Sequence, residues 1–259
     1  MIHATFGGLH WRLIPCDSRA IGHVERALER FSVGPTAGAI TVAIATAPLG
    51  AFGEELSVEG DESRVHLQRS DFTAQLGLSA RTATIEYGGE IPSLHAALRV
   101  ATSFFLARSG GFLAHAASLV SHGRAFLFPG PSGAGKTTIA RLAGDRTVLS
   151  DEVSAVVPDG NGYRCHATPF FGDFEGPRPG VLDAPLARVC FPSHGVGASL
   201  EPLGILEAAR RLLACIFCFG WIPALQRRLL EAALVFVRRV PCFDLRFTPD
   251  SSLWRAVHA

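Results

Sequence analysis

The chain has 259 residues, 48% of them hydrophobic and 18% charged, which suffices for one large domain or for a catalytic domain with a smaller one before it. A formal net charge of +1 removes the electrostatic case for a nucleic-acid partner. The first 16 residues contain His3, His10 and Arg12 and no unbroken apolar core, so no secretory signal is expected, and the longest apolar run, Leu212 to Leu225, is too short for a membrane span and is broken by Gly220 and Pro223.

Residues 1–109 read as a small α+β domain. His10 to Pro15 predicts a strand, Ser18 to Phe31 a helix, and Ala39 to Ala45 a β-branched apolar run. Arg64 to Gln68, Thr73 to Leu78 and Thr82 to Tyr87 predict a three-strand meander. Ile91-Pro92-Ser93 opens a long helix that runs to Arg108 and stops at Gly110-Gly111. No chemistry is visible in this half.

Residues 110–259 alternate strands and helices. Phe112 to Val120 and Gly123 to Phe128 predict a strand pair, and Arg146 to Ser150 a further strand. Val153 to Val157 and Tyr163 to Thr168 predict a hairpin across Asp159-Gly160-Asn161-Gly162. Pro169 to Ala187 reads as loop. Arg188 to Phe191 and Cys242 to Phe247 read as strands, Leu206 to Phe217 and Leu225 to Val237 as helices, with a short last helix from Ser251. Cys215 and Cys218 fall inside the first of these helices with no second pair or nearby histidines, so they read as buried, packed thiols and not as a zinc set. Six scattered cysteines without a disulfide framework fit a reducing cytoplasm.

Of the 24 cationic side chains one alone, Lys136, is lysine. It lies in Gly130-Pro131-Ser132-Gly133-Ala134-Gly135-Lys136-Thr137, which matches the phosphate-binding pattern G-x-x-x-x-G-K-[ST]. A compact ammonium fits beneath a loop whose N–H groups already wrap phosphates, where a planar guanidinium does not. Ala125 to Phe128 supplies the buried strand before the loop. Thr137-Thr138-Ile139-Ala140-Arg141-Leu142-Ala143 supplies the helix after it, with Gly144 as its C-cap. The helix start offers unpaired N–H donors and a positive dipole end to phosphates. Lys136 would reach the β- and γ-phosphates and the Thr137 hydroxyl would ligate Mg²⁺. Gly130, Ser132, Gly133, Ala134, Gly135, Lys136, Thr137 and Thr138 are the candidate nucleotide-binding residues.

Asp151-Glu152 stands at the end of the strand that follows the loop helix. A carboxylate there holds Mg²⁺, directly or through water, or accepts a proton from an attacking hydroxyl; the structural alternative is a turn cap beside a solvated glutamate. Only 13 residues separate Thr137 from Asp151, too few for an ABC-type ATPase. With its single lysine already in the loop, the chain has no N-K-x-D for reading guanine. His115, in the strand expected over Phe112 to Val120, precedes Gly130 by 15 positions.

His115, the Gly130 to Thr137 loop and Asp151-Glu152 together resemble the catalytic domain of HPr kinase/phosphorylase and its shorter relatives. Ala114-His115-Ala116-Ala117-Ser118-Leu119-Val120, Leu149-Ser150-Asp151-Glu152 and Ala167-Thr168-Pro169-Phe170-Phe171-Gly172-Asp173 carry the same resemblance. It implies an α/β fold, a P-loop kinase domain of the HPr kinase/phosphoenolpyruvate carboxykinase type, over residues 110–259. It also implies ATP- and Mg²⁺-dependent transfer of a phosphoryl group to a serine of a peptide or small protein, as in the peptide natural-product systems where such relatives occur. By position, Asp151 would be the general base, and Lys136 and Thr137 would hold nucleotide and Mg²⁺. Glu152 and His115 would assist at the metal or the transferring phosphate. Glu152 stands where the family has a second aspartate, and Thr137 where it has serine. A small-molecule kinase and a non-catalytic nucleotide sensor remain alternatives, and a homo-oligomer stays open. The Gly/Pro-rich stretch Phe171 to Gly180 has the make-up of a lid or acceptor site, and its cation, Arg178, either meets the transferring phosphate or is a solvated loop arginine.

Overall fold

A computed structural model describes residues 1–51, 53, 55–176, 180–220, 222–250 and 252–258. The protein is α/β with two mixed sheets, and it divides into two compact units, Met1–Ser109 with Cys218–Arg228, and Gly110–Phe217 with Leu229–Ala259. Among the described residues no helix is long and apolar enough to cross a membrane.

The first unit carries β1 (Ile2–Phe6), β2 (Leu9–Pro15), α1 (Ser18–Leu28), β3 (Ile40–Thr46), β4 (Ser57–Gly60), β5 (Arg64–Arg69), β6 (Phe72–Gly77), β7 (Thr82–Tyr87) and α2 (Ile91–Arg108). Its sheet runs in the order β1-β2-β3-β7-β6-β5-β4, with β2, β3 and β7 parallel to one another. Alternation along β2 buries Leu9, Trp11 and Leu13, and Trp11 stacks on Phe6 at 4.9 Å. Asp17 caps α1 by accepting from Ala20 N, and its other oxygen accepts from Thr46 N, so one carboxylate ties helix to strand. The predicted meander is β5-β6-β7. β1 and β4 add to it as edge strands whose mixed residues give no strong period, IHATF and SVEG.

The second unit carries β8 (Phe112–Ser121), β9 (Arg124–Pro129), α3 (Lys136–Arg141), β10 (Thr147–Ser150), β11 (Val153–Asp159), β12 (Gly162–His166), β13 (Asp183–His194), β14 (Ala198–Pro202), α4 (Ile205–Leu213), α5 (Pro223–Arg239), β15 (Cys242–Phe247) and α6 (Leu253–His258). α5 begins within the part grouped with the first unit. The sheet centres on β9, antiparallel to β8 on one side and parallel to β13 on the other, with β15 parallel beyond β13. β10 and β11 both pair antiparallel with β8. α3 and α6 pack Ile139, Ala140, Leu253, Trp254 and Val257 against Leu119, Phe126, Phe128, Val148 and Phe247.

Three sequence expectations are corrected. β13 starts at Asp183, inside the stretch read as loop, because β12 pairs its first residues and β9 its middle. α4 ends at Leu213, not Phe217: Ile216 bridges Ala114, and Phe217 N donates to Leu113 O, so the chain leaves the helix to line β8. Cys218 is consequently exposed, while Cys215 is buried. Ser251, the expected start of the last helix, lies outside the described residues, and α6 begins at Leu253.

Candidate functional site

β9 buries Ala125, Phe126, Leu127 and Phe128 and delivers the chain into the glycine loop from the centre of the sheet. Gly130 N donates to His115 O at 3.2 Å, which fixes the loop's first residue to β8. A Cβ at Gly130 would lie 2.8 Å from Ala134 Cβ. Gly133 and Gly135 have φ of 80° and 98°, in the left-handed region where glycine alone is unstrained. A Cβ at Gly135 would also lie 2.9 Å from the Phe247 ring. Pro131, Ser132 and Gly133 are exposed, whereas Thr137 and Thr138 are half-buried in the first turn of α3. The loop is thus a close-walled turn of backbone amides ahead of a helix.

Lys136 is 5% exposed, and its Nζ donates to Gly130 O at 2.9 Å and Pro131 O at 2.8 Å. Burial lowers the ammonium's pKa; the charges of Glu152, Cys215 and Asp151 oppose that shift. The lysine therefore sits within electrostatic reach of the acidic pair. Its ammonium is held by the loop's own carbonyls.

β10 ends at Ser150 and β11 starts at Val153, both against β8, with Ser150 opposite Ser118 and Val153 opposite His115. Asp151 and Glu152 form the bend between them. Ser150 Oγ accepts from Glu152 N and Val153 N, and Glu152 O accepts from Ala116 N. Because β9 and β10 flank the same stretch of β8, the loop, His115 and the acidic pair meet on neighbouring strands. Glu152 Oε1 lies 3.2 Å from His115 Nε2, with the two side chains 38% and 26% exposed.

Asp151 is fully buried. Its Oδ1 accepts from Gly172 N at 3.1 Å and its Oδ2 from Phe174 N at 3.0 Å. Segment 171–174 is thereby strapped onto the acidic pair, and a Cβ at Gly172 would lie 2.9 Å from Asp151 Oδ2 and 3.1 Å from Glu152 Oε2. In this conformation both carboxylate oxygens hold backbone, which is the turn-capping alternative realised at long range. Arg178 lies outside the described residues.

Cys215, expected as a packed thiol and buried as such, also borders the loop: its carbonyl accepts from His115 N at 2.7 Å and its thiol feels the Lys136 charge. Burial raises that thiol's pKa, and the lysine lowers it. Sequence reasoning missed His194, whose Nε2 lies 3.0 Å from Gly133 O. Neither position beside the loop carries a sequence signal, because each residue reaches it from a distant strand or helix end.

No group of three or more His, Cys, Asp or Glu side chains among the described residues could hold a metal ion. The oxygen donors near the loop, the Thr137 hydroxyl and the carboxylates of Asp151 and Glu152, are of the hard type that suits Mg²⁺ completed by water and phosphate oxygens. At Gly130 and Gly135 a Cβ would crowd Ala134 and Phe247, so the loop amides keep close approach from outside only with glycine at these positions.

What fold and site define is an α/β protein with a strand–glycine loop–helix and an acidic pair on the adjacent strands. The chain belongs to the family described as SynChlorMet cassette protein ScmC, whose model matches residues 94–259. No curated protein matches it.

Proposed function

We propose that the protein is an ATP- and Mg²⁺-dependent kinase with a P-loop domain of the HPr kinase type, acting on a serine hydroxyl of a peptide or small protein. One observation carries this reading. Lys136, His115 and the Asp151-Glu152 pair, scattered along the sequence, are gathered by β8, β9 and β10 around one glycine loop. Bound ATP would supply the phosphoryl group, with Mg²⁺ screening its charge. Lys136 would exchange the Gly130 and Pro131 carbonyls for the β/γ-phosphates, trading contacts charged on one side for contacts between opposite charges. The loop amides and the start of α3 would hold the phosphates. Thr137 and Glu152 would hold the metal, and His115 would orient Glu152. Asp151, once released from the strap, would take the proton of the serine hydroxyl. A second reading, a nucleotide sensor without turnover, is favoured by the strap's occupation of both Asp151 oxygens.

Mass spectrometry separates the two. Peptides encoded beside a cassette protein are the natural candidate acceptors. Incubated with enzyme, ATP and Mg²⁺, an acceptor of the expected kind gains one phosphate on serine. Tight ATP binding with no modified peptide across all neighbouring candidates would favour the sensor.

A further inference from the structure

We propose that His194, at the end of β13, is a positioning residue of the phosphate loop: its imidazole N–H holds the Gly133 carbonyl outward so that the loop's amides face the phosphates. This rests on the nucleotide reading of the loop. The Nε2–O distance is 3.0 Å, and a carbonyl oxygen only accepts, so Nε2 carries the proton. β13 runs parallel beside β9 and continues past its end, so Pro192 lies against Gly130, and His194 reaches the loop apex. The ring is braced in turn on Phe247 of β15, with centroids 6.4 Å apart and planes inclined by 27°. Phe247 is itself buried against Gly135.

An anion cradle turns N–H groups inward, and each turn sends a carbonyl outward, where it needs a donor. Gly130 O and Pro131 O are held by Lys136, the group that must leave them to meet phosphate. Gly133 O is held by His194, which has no such second task. The histidine therefore holds the empty loop in its filled shape, at the left-handed glycine where the backbone would otherwise relax and would have to be reordered on binding.

The test is calorimetric titration of the full chain with Mg·ATP, alongside thermal melting, for wild type, His194→Ala, His194→Gln and Lys136→Ala. The expected result is a 5- to 10-fold weaker Kd for His194→Ala, about the worth of one hydrogen bond. Its Tm should stay within about 2 °C of wild type, since the ring is exposed at a strand end. His194→Gln, whose carboxamide N–H has similar reach, should recover most of the loss. Wild-type affinity in His194→Ala while Lys136→Ala has lost binding would overturn this inference alone. So would a large fall in Tm with no rescue by glutamine. Wild-type affinity in Lys136→Ala would overturn the nucleotide reading as well.

Discussion

Lys136 concentrates the chemistry of the loop in one buried charge. Its ammonium has two carbonyl partners and 5% exposure, leaving no room for a planar guanidinium with five donors to satisfy. Lys136→Ala should abolish ATP binding, and Lys136→Arg should rescue it poorly; near-normal calorimetric affinity in the arginine variant would refute the steric argument. Asp151 makes a double prediction. Asparagine keeps one accepting oxygen and replaces the other by an NH₂ donor, so one of the Gly172 and Phe174 amides loses its acceptor. That should cost about 1–3 kcal/mol of stability. As the proposed base it should also lose roughly 100-fold in turnover while ATP still binds. A lower Tm with unchanged turnover would leave Asp151 as an anchor only. His115 differs: its ring lies beside Glu152 and is partly exposed, so His115→Ala should lose more turnover than melting temperature.

At the scale of elements, the strap 171–174 is the part most sensitive to a single atom. Gly172→Ala places a methyl 2.9 Å from an Asp151 oxygen and 3.2 Å from Glu152 Cβ, so either the strap or the acidic bend must move. The variant should be cleaved faster by protease within the strap and should turn over more slowly; unchanged cleavage and rate would show that the strap yields without consequence. The strap also marks what the sequence makes legible. The glycine loop, its strand and the acidic bend are local patterns that stand where their spacing puts them, whereas the loop helix ends at Arg141 with Leu142 as its C-cap, short of the expected Ala143 and Gly144. β1, β4 and β14 escape such reading because edge strands with an exposed face need no apolar alternation; ASLEP in β14 is partly or fully exposed throughout. The first residues of β13, DAPLA, read as loop on account of Asp183 and Pro185, yet flanking strands draw them into the sheet. The last turn expected of α4 was lost to a competing partner, β8, which no periodicity in Leu212 to Cys218 reveals.

Across the whole molecule, the groups around the glycine loop come from far along the chain: the Gly172 amide to Asp151, the His194 ring to Gly133 O, and the Cys215 thiol within the field of Lys136. The same long-range packing desolvates three histidines, the half-buried His95 and His166 and the exposed His258, and so sets a pH limit. Burial lowers the pKa of His95, with Arg99 adding to it. Burial likewise lowers His166, against the opposing pull of Asp183 and with a further push from Arg164. Burial lowers His258 as well, and Arg146, His122 and Arg188 act in the same direction. Each stays neutral in the folded protein over a range in which the unfolded chain, titrating near the ordinary value of 6.5, takes up a proton. The unfolded state then binds more protons than the folded, so stability rises with pH through that range. Their contribution is complete above 6.5 and is lost progressively as pH falls from there through the lowered folded values. Asp61 and Glu207, pushed down to about 2 by serine and arginine hydrogen bonds, add a loss of their own only as pH falls through the ordinary carboxylate values of 3.8 and 4.5, below the histidine range. The Tm should therefore be lower at pH 5.5 than at pH 7.5. In His258→Phe, which keeps a ring edge-on to Phe126 and tilted against Trp254 but cannot protonate, the difference should shrink. A variant that loses as much Tm as wild type between the two pH values would exclude His258 from the transition, and a wild-type Tm that rises on acidification would reverse the sign of the argument.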